Sequence, residues 1–514
     1  MARAPVFRGV ERALRLAWAS ERFGLSHDAL LEARASRRAF LKGAAAAAGL
    51  AAVSCGRAAW PGQAAPDVAV IGAGLAGLSC AYRLHAAGVR VRVYEAQARV
   101  GGRVYSLRGH FPDAHVVELG GELIDSGHLY LRDLAAELGF TLDDLSAGQP
   151  TNALWYFDGA SRSEREVVEA FRPIAAAIQR DLASLERATL DAESLAAWFD
   201  RHGASGWIRS LLEVAYTTEM GLPCEQQSAL NLLGFISAEP DPFRVFGASD
   251  ERYHVRGGND AIPLELARRL GAAVETECVL EALRRTASGD FELDVRRGSS
   301  SRQLRASHVV LALPLSMLRR VRLDLELPPL QLRAIRELAY GTNAKLMLGC
   351  ARRIWRDGAA SDGSTFSDLP YQTSWETTRA QPGESGVLVN FTGGARGLRA
   401  GQGSTDDEAR RVSADLERVY PGFQSVRAGM PAVRFHWPSH AWTEGSYVCL
   451  KPGDWTTFAR VFDAPSGRLH FAGEHCSADA QGFMEGACES GQRVASRLLA
   501  EWGITARLRA PSAA

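Results

Sequence analysis

The sequence predicts an α/β fold: a doubly wound, mostly parallel sheet with a second, discontinuous α+β domain threaded through it. Three observations lead there. The stretch "DVAVIGAGLAGLSCAYRLHAAGVRVRVYEA", from Asp67, reads as a buried apolar strand, a glycine-rich turn, an amphipathic helix and a second strand ending at Glu95. Parallel strands joined by a helical crossover belong to α/β architecture. Helical periodicity then dominates residues 163–189 and 191–215. Strand patterns return at 253–320, where "DFELDVRR" alternates and "HVVLALPL" is apolar, and a last strand, "RLHFAGE", leads into the helix "GFMEGACESGQRVASRLLAEW".

Residues 1–55 read as an export leader. Arg37 and Arg38 stand in "SRRAFLK", ahead of an apolar run from Gly43 to Ser54. Those 12 residues are too few to span a bilayer and suit the h-region of a signal peptide. "SRRAFLK" resembles the twin-arginine signal, whose pathway exports folded proteins, and so implies a periplasmic or extracytoplasmic location. "AVSC" resembles a lipobox with Cys55 as the lipidated residue. Ordinary cleavage nearby, at "GQAA", is the alternative. No later run reaches 18 apolar residues, which excludes a multi-span helical membrane protein.

Residues 66–145 form the first part of the nucleotide domain, with a helix at 128–139. Residues 146–245 read as a helix-rich insertion, the first part of the substrate domain. Residues 246–324 return to the nucleotide domain and read as strands from "VRGGNDAIPLELARRLGAAVETECVLEALRR" onward. Residues 325–430, the second part of the substrate domain, mix a long strand, "AKLMLGCARRIW", with polar Gly/Ser-rich loops. Residues 431–505 close the nucleotide domain.

The 514-residue length suits two or three domains. Residues 1–42 hold nine Arg/Lys against four Asp/Glu, a balance of +5, while the whole chain is neutral. No later segment forms a basic stripe, which argues against nucleic acid as a partner. The eight cysteines show no C-x-x-C pair and no metal-ligand spacing, so no metal is expected. Of 59 basic residues only Lys42, Lys345 and Lys451 are lysine, so each lysine invites a reason.

Gly72, Gly74 and Gly77 form G-x-G-x-x-G between strand and helix. Such glycines permit a tight turn and bring backbone N–H groups close to a pyrophosphate at the helix N-terminus. Glu95, at the end of the next strand, is placed to accept hydrogen bonds from a ribose. The register predicts a Rossmann-like dinucleotide site and leaves NAD and FAD both open.

Six further segments carry a resemblance: "EAQARVGGRVYS", "VELGGE", "VRGGNDAI", "GTNAKLMLGCARRIW", "GSYVCLKPG" and "FAGEHCSADAQGFMEGACESG". In this order they resemble the flavin-dependent amine oxidases, the group of monoamine, polyamine and L-amino-acid oxidases. The resemblance implies FAD as cofactor. It places Arg99, Gly101, Gly102 and Arg103 along the pyrophosphate and flavin edge, and Val279 at the adenine side through its backbone. Glu474 would hold the ribityl chain, and Met484 would offer its amide to the flavin ring.

For catalysis the resemblance points to Lys345, on an otherwise apolar strand, as the lysine that holds a water against the flavin. A buried lysine can exchange protons where arginine cannot. Tyr447 and Phe483 match the aromatic cage in front of the flavin, with phenylalanine where tyrosine is usual. Trp437 and Trp442 precede the cage as pocket candidates. Ser446 stands where mitochondrial-type monoamine oxidases carry the cysteine bonded to flavin, so FAD is expected to be non-covalent.

The expected reaction is oxidation of an amine to an imine, then aldehyde and ammonia. Electrons pass to O₂ with release of H₂O₂, or to a periplasmic acceptor. In "VELGGELID", Glu122 is expected to face the pocket and favour an ammonium over an α-carboxylate. The rivals are an L-amino-acid oxidase, a carbon–carbon desaturase or porphyrinogen-type oxidase on the same fold, and a non-catalytic flavin-binding protein. The partner is a small-molecule amine or amino acid. A homodimer stays open.

Overall fold

The computed structural model describes residues 67–148, 152–357 and 360–504. Arg37, Arg38 and Cys55 lie outside the described residues. At the centre is a five-stranded parallel sheet in the order Leu469–Phe471, His308–Leu311, β1 (Asp67–Ile71), β2 (Arg90–Tyr94) and Val274–Glu275. Val70 sits opposite Val310 on one side and Val93 on the other.

Alternate residues of β1 serve two cores, as the period of two along a strand requires. Val68 and Val70 join Leu78 and Leu84 of α1 (Leu75–Ala86) and Val494 and Leu498 of the helix Met484–Glu501. Ala69 and Ile71 face Leu283, Phe291 and Leu293. Those belong to a four-stranded sheet in the order Ser300–Ala306, Phe291–Arg297, Val279–Arg285 and Arg322–Asp324. Helices thus cover one face and a second sheet the other.

The other half is a seven-stranded sheet in the order Ala432–His436, Ala344–Cys350, Gly386–Thr392, Thr373–Glu376, Ser361–Ser367, Asn152–Phe157 and Ala160–Arg162. The helices of the insertion form a separate core beside it. The first, Glu164–Ser184, starts at a capping box in which Ser163 and Glu166 satisfy each other's backbone N–H groups. Val167, Phe171, Ile174 and Ile178 form its buried stripe. No described helix is long and apolar enough to cross a membrane.

Four readings of the sequence are corrected. The stretch read as strands from Val255 contains the helix Ala261–Leu270, whose Pro263 sits in the first turn, where its missing N–H costs nothing. The 325–430 segment holds three further strands of the seven-stranded sheet where loops were expected. One of them, Ser361–Ser367, is polar yet buried, with Thr365 Oγ1 and Ser374 Oγ 2.7 Å apart and the Tyr371 hydroxyl donating to Thr365 at 2.9 Å. Hydroxyls from neighbouring segments satisfy its side chains, so it shows no apolar alternation. The insertion contributes the strand Asn152–Phe157, which runs parallel to Ser361–Ser367. Ala432–His436 pairs with the lysine-bearing strand Ala344–Cys350, so the 431 boundary falls inside the seven-stranded sheet.

Candidate active site

The three glycines after β1 have different duties. Gly72 has φ +103°, and a Cβ there would come 2.6 Å from the Ala312 carbonyl oxygen. A Cβ at Gly77 would lie 2.0 Å from the Gly72 oxygen, so Gly77 lets α1 close onto the turn. A Cβ at Gly74 would meet nothing within 4 Å. That open space lies at the start of α1, whose N-cap has no side-chain partner, and it suits a pyrophosphate.

The loop carrying Gly101 and Gly102 crosses the same turn: Gly101 N donates to Ala73 O at 2.8 Å. Glu95 follows β2 and accepts from Ala73 N at 2.7 Å and Gln97 N at 2.9 Å, while burial raises its pKa. Cys278 N donates to Glu95 O, which sets Val279 beside this end of the cleft. Arg99 is turned inward: it donates to Gly102 O at 2.7 Å and lies over the Tyr105 ring. Arg103 donates to Glu474 Oε1 at 2.9 Å and to Ser446 O at 2.8 Å. Glu474 also accepts from Gly482 N at 3.0 Å. Met484 opens its helix, which has no side-chain cap, and packs on Gly121. An open turn, a terminal acid and a second uncapped helix start fit a dinucleotide cofactor.

At the other end lies Lys345. Its side chain is 6% exposed, and its Nζ donates to Glu118 O at 2.9 Å, Gly120 O at 2.9 Å and Glu122 Oε2 at 2.7 Å. The three donors of this ammonium meet three protein oxygens. One expectation changes here. Glu122 does not face the pocket as a free carboxylate: it is 5% exposed and bound to Lys345, and its Oε1 accepts from Trp375 Nε1 at 2.9 Å. Burial opposes its ionisation, but the Lys345 charge and hydrogen bonds hold its pKa below the ordinary value. Trp437 is only 4% exposed and donates to Leu119 O at 3.0 Å, so it supports this turn from beneath rather than forming a pocket wall. Trp442 is half-buried beyond it, next to His440.

Tyr447 and Phe483 are half-buried. The Tyr447 hydroxyl donates to Glu219 O at 2.5 Å. The Phe483 ring lies 5.3 Å from His128 and 6.3 Å from Phe235, centroid to centroid. Sequence reasoning missed three acids here: Glu219 beside Tyr447, Asp125 against His128, and Glu251, which lies near both. Asp125 sits 3.4 Å from His128 and accepts from Glu251 N at 2.8 Å. Among the described residues the carboxylates of Glu219 and Glu251 have no hydrogen-bond or ion-pair partner. Burial, then the neighbouring Glu251 and Asp125, push Glu219 up to about 8; burial, then Asp125, push Glu251 up to about 7. The arginine that reaches Glu251, Arg379, is held by Asp362 at 3.1 Å. Of these acids only Asp125 left a trace in the sequence, three residues past Glu122 in "GELID".

Ser446 Oγ donates to Asn343 Oδ1 at 2.6 Å, and every described cysteine is free and buried. Among the described residues no group of three or more His, Cys, Asp or Glu is placed to hold a metal ion. A family model for flavin-containing amine oxidoreductases matches residues 75–499. The chain belongs to this family. Its relatives include an L-amino acid dehydrogenase of Synechocystis sp., 26% identical over 472 positions that cover 84% of this chain and 94% of the relative. A flavin-containing amine oxidase of Danio rerio is 24% identical, covering 85% and 86%. An L-amino-acid oxidase of Echis ocellatus is 24% identical, covering 84% and 88%. Among solved structures, cyclohexylamine oxidase from Brevibacterium oxydans matches with TM-score 0.74 at 21% identity, covering 86% of this chain and all of that one. A putrescine oxidase bound to putrescine matches with TM-score 0.71 at 21% identity, covering 85% and 99%. As a member of the flavin-containing amine oxidoreductases, the protein is an oxidoreductase with a flavin cofactor.

Proposed function

We propose that the protein oxidises amines at a non-covalently held FAD, giving imines that hydrolyse to aldehyde and ammonia, with O₂ as acceptor and H₂O₂ as by-product. The turn Gly72–Gly77 would take the pyrophosphate, Glu95 a ribose, and Val279 the adenine side. Arg103, Glu474 and the Met484 amide would line the ribityl chain and ring. FAD, when bound, accepts two electrons from a carbon–nitrogen bond and hands them to an acceptor. Tyr447 and Phe483 exclude water and present π faces to a cationic amine.

The observation that carries the choice of amine is the pair of unpartnered carboxylates, Glu219 beside Tyr447 and Glu251 near Glu219. They take over the role expected of Glu122. At an effective dielectric near 20, a unit charge about 4 Å away is worth about 4 kcal/mol, less where water enters. Once these carboxyls ionise, the site favours an ammonium and repels an α-carboxylate, and the arginine near it is already held by an aspartate.

The test compares kcat/KM for a primary amine with that for the amino acid differing only by the carboxylate. The amine is expected to win, and Glu219→Gln to narrow the gap. A better amino-acid substrate in the wild type would move the protein to the L-amino-acid oxidases, with Arg379 the first candidate to grip the carboxylate. We also propose export by the twin-arginine route with Cys55 as a lipid anchor, on "SRRAFLK" and "AVSC" alone.

A further inference from the structure

We propose that Glu485 is a positioning residue of the active site: its carboxyl caps the helix Leu129–Leu138 from outside and so fixes Phe483 and Met484, the two residues before it. The inference rests on the reading above only in setting FAD against the Met484 amide and the substrate against Phe483. The helix Leu129–Leu138 starts without a cap of its own, because its N-cap residue, His128, offers no side-chain bond to the first turn. Glu485 supplies that cap from 354 positions beyond Leu131. Its Oε1 accepts from Tyr130 N at 2.9 Å and its Oε2 from Leu131 N at 2.8 Å.

The same two segments touch a second time. The Phe483 ring lies 5.3 Å from the His128 ring, centroid to centroid. The His128 ring is itself held, since Asp125 N donates to its Nδ1 at 3.0 Å. Phe483 precedes the helix Met484–Glu501 on extended backbone, with φ −95° and ψ 156°, and gives that helix no side-chain bond. Three consecutive residues thus carry the pocket ring, the amide offered to the flavin and the carboxyl that ties both to the helix Leu129–Leu138. If the carboxyl lets go, the His128 contact is left to hold the ring.

Glu485 is 6% exposed, and burial pushes its carboxyl up to about 7 while the Tyr130 and Leu131 N–H groups act against that rise. An acid buried here is costly unless its oxygens are used, and both are. Glutamine could not take over. Its amide offers one oxygen and turns an NH₂ group on the second N–H, leaving a buried donor unpaired.

The experiment uses the FAD-loaded protein and compares Glu485→Gln with Gly139→Ala. Gly139 ends the same helix at φ +86°, and a Cβ there would meet nothing within 4 Å. Alanine at 139 therefore strains the helix without touching Phe483 or Met484. The readouts are Tm, loss of FAD on dilution, the visible spectrum of the bound flavin, and KM against kcat for an amine. Both variants are expected to lower Tm by about 3 °C. Glu485→Gln alone should speed FAD loss by about tenfold, shift the flavin spectrum and raise KM more than it lowers kcat. Gly139→Ala should match the wild type in these three readouts. If Glu485→Gln does not fold, the comparison is made with Glu485→Asp, whose carboxyl stops one carbon short of the two N–H groups. The proposal is overturned if the Glu485 variant keeps wild-type FAD retention, spectrum and KM, whatever its Tm, or if Gly139→Ala changes them as much. Failure of the amine reading would show separately, as reduction of the flavin by amino acids with the Tm and FAD-loss differences unchanged.

Discussion

Ser446 shows how much one atom decides. A thioether to flavin needs a sulfur, and at position 446 there is only a hydroxyl, which donates to Asn343. Acid or heat should therefore release free FAD into the supernatant. Colour that stays with the precipitate would mean a covalent link. Glu219 and Glu251 bring a pH dependence whose sign follows from their direction. Because their pKa values are raised to about 8 and about 7, both carboxyls are largely protonated below that range and ionised above it. The KM for an amine that stays cationic, with a pKa near 10, should fall as pH rises from about 6 to 9, and Glu219→Gln should flatten the trend. The same raised values mean the folded state holds protons that the unfolded chain releases, so these two sites weaken stability as pH climbs from the ordinary carboxylate range toward 8.

The β1–turn–α1 element separates packing from binding. Gly77→Ala puts a methyl against the Gly72 carbonyl oxygen and should cost both folding yield and FAD. Gly74→Ala meets no protein atom and sits at extended dihedrals that alanine adopts freely. It should fold with a near-normal far-ultraviolet spectrum and still fail to retain FAD. Retention by Gly74→Ala would place the pyrophosphate elsewhere. This element was legible in the sequence because its apolar runs and glycine spacing are local signals. The strand Ser361–Ser367 was not, because what buries its serines and threonines is a neighbouring strand with matching hydroxyls. The helix Ala261–Leu270 was missed because its apolar positions lie in a short stretch bounded by strands, where a 3.6-residue period has few turns in which to declare itself.

At the scale of the whole molecule, an enzyme loaded with FAD before export needs a route that carries folded cargo. Changing Arg37 and Arg38 together to Lys is expected to leave active, FAD-loaded enzyme in the cytoplasm, as cell fractionation would show. An unchanged periplasmic fraction would point to another route. Cys55→Ser should move the mature protein from membrane to soluble fraction only if the lipobox is real. By itself the sequence determined the parallel nucleotide sheet, the glycine turn and the family, since each is written in contiguous motifs. Only the tertiary structure decided what those residues meet. It closed Glu122 onto Lys345 from 223 positions away, and set Glu219 beside Tyr447 with Glu251 near it. The charge a pocket presents depends on which carboxylates find a buried partner, and that pairing is made across separate segments, where no local pattern records it.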